Sequence, residues 1–253
     1  MQETNLYKYF EFGYNYYWLR RRTEGHPVRG TADSLLYIID KFFATLKELN
    51  LQVTETAAVS LKKIRKEALS ISEDAKVEVE LAKKVLEACN QLDATLDAEL
   101  HLRGAFLVTP KRFQLDYLLK SPSSLFASEV FINLPRICQF DFTEACRCIA
   151  FGIPTAAAFH LMRGVEGVLR DYYCRIVKRN RVKRMLWYDI VNHLRQRRDA
   201  PPKALLDNLD NIRVNFRNPT QHPDARYDMD EAQDLLSVCT DAVNRISNPS
   251  CGL

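Results

Sequence analysis

At 253 residues the chain is long enough to bury one large core or two smaller ones. Its hydrophobic fraction of 47% and charged fraction of 27% are ordinary for a globular protein. No apolar run approaches the ~18 residues that a membrane span requires, so an integral membrane protein is excluded from the expectations. The net charge of +4 hides an asymmetry: residues 160–217 hold a net +8 and the remainder a net −4. A basic excess of that kind attracts polyanions, although a solvated helix face produces the same statistic.

The first residues carry acids and aromatics where a signal peptide has a basic start and an apolar stretch, so a cytoplasmic protein is expected. Residues 7–18 contain eight aromatics, followed by Arg20, Arg21 and Arg22. Aromatics beside arginines are able to clamp single-stranded nucleic acid, but their commoner use is core or interface packing, and packing is the reading preferred.

Leu35, Ile38, Ile39, Phe42, Phe43, Leu46 and Leu49 recur every three or four residues, which predicts a helix over 33–50. A second helix is expected from about Thr54, with Ala58, Leu61, Ile64 and Leu69 inward. A long third follows Ser72, with Val79, Ala82, Leu86, Cys89, Leu92, Leu96 and Leu100 inward. These read as a helical hairpin or coiled-coil-like arm, an assembly or regulatory region spanning residues 1–125. Residues 105–140 form a proline- and serine-containing connector, and a second domain is assigned to 126–253.

In that second part Asp141-Phe142-Thr143-Glu144 has capping-box spacing and is expected to start a short helix, broken at Gly152-Ile153-Pro154. A long helix then runs to about Lys178, with Ala158, Leu161, Met162, Val165, Leu169, Tyr172 and Ile176 on its core stripe. His160, Arg163, Glu166 and Arg170 share the opposite face, where Glu166 is spaced to pair with Arg163 and Arg170. Further helices are expected around Leu186–Leu194, over Lys203–Arg217 and from Asp228, where Asp228 and Glu231 repeat the capping-box spacing. Short loops between amphipathic helices predict an all-α, antiparallel bundle.

Seven cysteines are scattered, and Cys146/Cys148 is their only close pair. Without a second Cys/His cluster they read as reduced, mostly buried thiols, and neither a metal nor a cofactor is implied.

The sharpest chemical signal is Arg217-Asn218-Pro219-Thr220-Gln221-His222, an Arg-x4-His string. The string alone is common by chance, and Arg21 to His26 is a second copy in a glycine-containing connector. Around Arg217 the context differs. Asn218 before proline is expected to leave helical geometry, cap a new turn with Pro219 first and Gln221 third, and so let Arg217 and His222 converge. The basic runs Lys178, Arg179, Arg181, Lys183, Arg184 and Arg195, Arg197, Arg198 lie nearby in sequence.

Arg217, Asn218 and His222, together with the helix Thr155-Ala156-Ala157-Ala158-Phe159-His160-Leu161-Met162-Arg163-Gly164-Val165-Glu166, resemble the HEPN family of abortive-infection and toxin type. The resemblance covers roughly residues 126–248. It implies a four-to-five-helix bundle and a metal-independent endoribonuclease, active in defence or as a toxin and accompanied by an antitoxin or other regulatory protein. It further implies that two Arg–His pairs meet in a C2 homodimer, because one histidine does not easily serve both ends of an in-line displacement. Arg217, His222 and Asn218 would then be catalytic, with Glu166 and Arg163 in support and Arg179, Arg181, Lys183 and Arg184 binding RNA. Family members silenced by adenylylation carry a tyrosine two residues after the histidine; here that residue is Asp224, and Tyr227 is the nearest tyrosine. The competing expectations are a catalytically silent HEPN module that binds nucleotide, RNA or a protein partner, and a mononucleotide sensor.

Overall fold

The structure, a computed structural model, describes residues 5–21, 23–177 and 185–247. Among the described residues it is all-α, and no helix is long and apolar enough to cross a membrane. An isolated bridge between Pro27 and Lys76 is the one β-type pairing there.

The chain divides into two compact units, residues 1–106 and 107–253. The stretch 107–125, grouped by sequence with the N-terminal region, packs with the second unit. Leu118 is fully buried in that unit's core and Phe126 follows it there. The connector's polar, proline-rich composition conceals these two anchors.

The N-terminal unit holds α1 (Leu6–Arg21), α2 (Leu35–Glu48), α3 (Gln52–Ala57), α4 (Val59–Ser70) and α5 (Val79–His101). Ser34 caps α2 by accepting from the Tyr37 N–H, and Leu35, Ile38, Ile39, Phe42 and Leu46 are buried as the periodicity required. Helices α4 and α5 pack on each other, yet α1 and α2 share their core, so the region is a five-helix unit rather than a two-helix arm. In α5 the buried stripe begins with Leu81, Val85 and Ala88; Val79 and Leu86 are exposed. Two apolar series compete in the first turns of this helix, and the partner helices select the other one. In α4 Ala68 takes the buried place expected of Leu69.

The aromatics of 7–18 lie on α1. Phe12 and Trp18 are buried and Tyr16 half-buried, while Tyr7, Phe10, Tyr14 and Tyr17 face outward.

The C-terminal unit contains α6 (Leu115–Leu119), α7 (Arg136–Ala150), α8 (Pro154–Ile176), α9 (Trp187–Arg195), α10 (Lys203–Ile212), α11 (Asn218–Thr220) and α12 (Met229–Ser247). Helix α7 ends at Ala150, Gly152 just beyond it turns the chain with a left-handed φ of 75°, and Pro154 opens α8 without losing a needed N–H. The three-residue link makes α7 and α8 antiparallel neighbours. Their contact is close because Gly164 and Gly167 face α7: a Cβ on Gly164 would sit 3.2 Å from the Phe142 ring. Helix α12 covers α8 and α7, and α9 and α10 complete the core through Trp187, whose indole N–H donates to the Leu209 carbonyl at 3.1 Å. The Asp228/Glu231 capping box forms reciprocally, each backbone N–H donating to the other's carboxylate at 2.8 Å.

Two expectations about caps are corrected. Asp141 does not start a helix: α7 begins five residues earlier, after Pro135, and Asp141 is a buried mid-helix carboxylate. Asn218 does not break the chain either. It is right-handed helical at φ −65°, ψ −51°, and the path from α10 to α11 continues through a π-helical turn, Arg213–Arg217.

Candidate functional site

The site is built on the polar face of α8. His160, Arg163 and Glu166 lie on successive turns of that face, and Phe159 and Met162 flank them. The π-helical turn brings Arg217, and the residues after α11 bring Gln221, to the same place. Together these seven residues line a cleft of ≈ 400 Å³.

Asp141 lies at one side of it. At 1% exposure its carboxylate would be costly to bury unpaired, and two side chains, Arg163 and His160, pair with it. The Arg163 Nε donates to both carboxylate oxygens at 2.8 Å, a second Arg163 nitrogen reaches Oδ1, and His160 Nδ1 lies 3.0 Å from Oδ1. The Asp141 hydrogen bonds raise the pKa of Arg163 above its ordinary value, so its charge is permanent. The sequence pairing of Glu166 with Arg163 is therefore replaced. Arg163 turns to the buried carboxylate of α7 while its own side chain stays largely exposed.

Glu166 serves two other arginines. Arg170, one turn on, donates to Oε1 at 2.6 Å, and Arg217 Nε and Nη2 both reach Oε2 at 3.3 Å. The second contact spans 51 residues and ties the motif arginine to α8. It is long and falls on a single oxygen, so Arg217 is restrained without being committed to a bidentate pair. Three guanidinium groups face two carboxylates here, which leaves a positive excess for an anion.

The turn after Arg217 is held from below. Thr220 is fully buried; its hydroxyl donates to the Phe216 carbonyl at 2.6 Å and lies 2.7 Å from the Tyr227 hydroxyl. The Tyr227 N–H in turn donates to Thr155 Oγ1 at the start of α8. Tyr227 is thus a structural anchor. His222 follows Gln221, with its N–H on the Pro219 carbonyl at 2.8 Å, and is exposed. Among the described residues its ring has no hydrogen-bond or ion-pair partner. His222 is not among the residues lining the cleft, and the histidine that does line it is His160. Asn218 is half-buried; its carbonyl accepts from Gln221 N–H.

Compared with known protein families, curated proteins and solved structures, the chain shows no match.

Arg179, Arg181, Lys183 and Arg184 lie outside the described residues. Of the second basic run, Arg195 is paired with Asp207 and Arg197 with Asp199, so part of its charge is neutralised. No group of three or more His, Cys, Asp or Glu placed to hold a metal ion occurs among the described residues. Sequence reasoning placed His160 on the correct face of α8 and missed Asp141. Its Asp-x-x-Glu spacing imitates a helix cap, and nothing local shows that Arg163 lies across from it.

The arrangement has two chemical capacities. Arg217 and Arg163 offer planar donors to a phosphate. His160, with Nδ1 assigned as the donor to Asp141, leaves Nε2 as the nitrogen able to exchange a proton.

Proposed function

We propose that the C-terminal unit is an HEPN-type endoribonuclease that cleaves RNA without a metal, by attack of a ribose 2′-OH on the adjacent phosphorus. The observation that carries this reading is the convergence of Arg217 with His160, Arg163 and Glu166 in one cleft. Phosphodiester transesterification requires charge stabilisation on the phosphorane oxygens and proton transfer at two oxygens. Arg217 supplies the first, exchanging its long contact to Glu166 for the phosphate. His222, on the anchored turn beside Gln221, supplies a proton-transfer group. Asn218 contributes a phosphate contact. Glu166 holds Arg217 until substrate arrives. A defence or toxin setting, a homodimer and a regulatory protein partner follow from the HEPN resemblance and belong to the same proposal.

The test is cleavage of single-stranded RNA by the purified full chain in EDTA, with 2′,3′-cyclic phosphate ends as product. Arg217→Ala is expected to lower the rate ~100-fold or more, the scale of losing an oxyanion donor. Cleavage that disappears on chelation alone refutes the reading.

A second reading is favoured by one observation. The His222 ring lacks an orienting partner among the described residues, as expected of a catalytically silent module that binds RNA or nucleotide. Tight RNA binding with no product supports that module, and preference for a mononucleotide over RNA supports a sensor.

A further inference from the structure

Resting on the ribonuclease reading, we infer that His160, the histidine lining the cleft, is a proton-transfer residue in addition to His222 and that Asp141 is its positioning residue. The reaction moves two protons. One leaves the 2′-OH as the oxygen bonds to phosphorus, and one arrives on the 5′-oxygen as the P–O5′ bond breaks. The products are a 2′,3′-cyclic phosphate and a free 5′-OH, with no net proton gained or lost. A lone imidazole does not reach both oxygens of an in-line displacement. The cleft lining supplies an imidazole of its own, distinct from the motif histidine, for one of these transfers.

The geometry around His160 is that of an oriented acid–base group. Its Nδ1 lies 3.0 Å from a carboxylate oxygen that is itself 1% exposed. That carboxylate is already satisfied by Arg163, whose Nε reaches both of its oxygens at 2.8 Å. The His160 contact is therefore surplus to solvating Asp141, and its consequence falls on the ring: it fixes the tautomer and the rotamer, leaving Nε2 for the substrate. The Phe140 ring, edge-on at 6.3 Å, closes one side of the imidazole. The close α7–α8 approach at Gly164, where an added Cβ would lie 3.5 Å from the Asp141 Cβ, sets Asp141 directly against α8.

The experiment compares wild type, Arg217→Ala, His160→Asn and His160→Ala in the same EDTA assay, each with and without added imidazole, alongside thermal melting. The amide nitrogen of His160→Asn is placed to keep donating to Asp141, so the buried carboxylate stays bonded while the proton-transfer nitrogen is lost. We expect His160→Asn to melt with wild type and to cleave ~100-fold or more slowly, the usual worth of a general acid or base. Free imidazole should restore part of the activity of His160→Ala and none of that of Arg217→Ala. Wild-type cleavage with an inactive Arg217→Ala and a His160→Asn within about threefold of wild type overturns the assignment of His160 while leaving the ribonuclease reading intact. Activity that falls only in proportion to lost melting temperature, with no rescue by imidazole, assigns His160 a structural role and overturns it too. A wild-type chain that cleaves no RNA overturns the ribonuclease reading itself.

Discussion

Replacing Asp141 by alanine separates the buried carboxylate from its partners and should destabilise the C-terminal unit by about 2 kcal/mol. Hydrogen bonds to a charged group are worth about 1.5–3 kcal/mol each, and Asp141 accepts from Arg163 and His160. Against that stands relief of the carboxylate's desolvation, itself several kcal/mol. The Arg163 side chain is 59% exposed and resolvates readily when released, which removes the usual cost of stranding a buried cation. A net ~2 kcal/mol in a unit of this size corresponds to a fall in melting temperature of about 4–8 °C. Each unit contains one tryptophan, Trp18 or Trp187, so urea titration of Trp187 fluorescence in a Trp18→Phe background follows the C-terminal unit. Arg163→Ala leaves the carboxylate with His160 alone, and the double variant should lose about 1–2 kcal/mol less than the two singles summed, as expected for groups in direct contact. Additive losses, or an Asp141→Ala variant as stable as wild type, would refute the claim that the pair is energetically coupled.

Three further outcomes follow from other contacts. Gly167→Ala gains ~1 kcal/mol of helix propensity, but its Cβ would meet Cys138 Sγ at 2.6 Å, and overpacking of about 1–3 kcal/mol should win; adding Cys138→Ala should return the melting temperature to wild type or above, and a Gly167→Ala variant more stable by itself contradicts the close approach. Burial pushes the Glu99 carboxyl up, but the N–H groups of Thr54 and Val53 more than offset it and hold its pKa below the ordinary value. Its contribution is therefore complete above the ordinary carboxylate range and lost as pH falls through the lower folded value, so acid titration of N-terminal unfolding should be flatter for Glu99→Gln than for wild type, and parallel curves would count against the cap. Among the described cysteines, Cys174 is exposed, whereas burial raises Cys89 and Cys146 to about 12 and Cys138 to about 11. Peptide mapping after brief treatment with a thiol reagent should find Cys174 labelled first and those three protected until urea unfolds the chain.

The helices were legible where one apolar stripe dominated, as in α2, α8 and α12. They were misread where two stripes competed, as at Val79 against Leu81 in α5. Cap signals show the limit more sharply. Asp228/Glu231 and Asp141/Glu144 have the same spacing, yet the first is a reciprocal cap and the second is not. The spacing specifies which bonds are available. Whether the preceding residues are already helical depends on a longer stretch: Pro135 opens α7, and nothing from Arg136 to Phe140 opposes helix. Once Asp141 falls mid-helix on a buried face, only a cation from another element makes it tolerable, and Arg163 is that cation. Local reading therefore gave Arg163 to Glu166, its neighbour on α8, and could not foresee the stronger claim of a buried carboxylate 22 residues away.

The same reasoning explains how Arg217 reaches the cleft although the chain does not break at Asn218 as expected. An Asn-Pro pair normally ends a helix, because proline lacks an N–H and its ring collides with the carbonyl four residues back. The chain instead accommodates Pro219 by widening the turn before it: the Asn218 N–H reaches back five residues to the Arg213 carbonyl. Leu205, Leu209, Ile212 and Phe216 keep α-like spacing throughout, so periodicity carries no trace of this insertion. What the proline requires, then, is relief of its clash, and a π-helical turn provides that without breaking the path. The wide turn carries Arg217 at its end, where the side chain meets Glu166 of α8, and the following Thr220 fastens the turn to Phe216 and Tyr227. Proline thus contributes to the site by shaping the helix that delivers the arginine. The cleft is consequently lined by α8, the π-helical turn and the residue after α11, while α7 contributes Asp141, which holds Arg163 and His160.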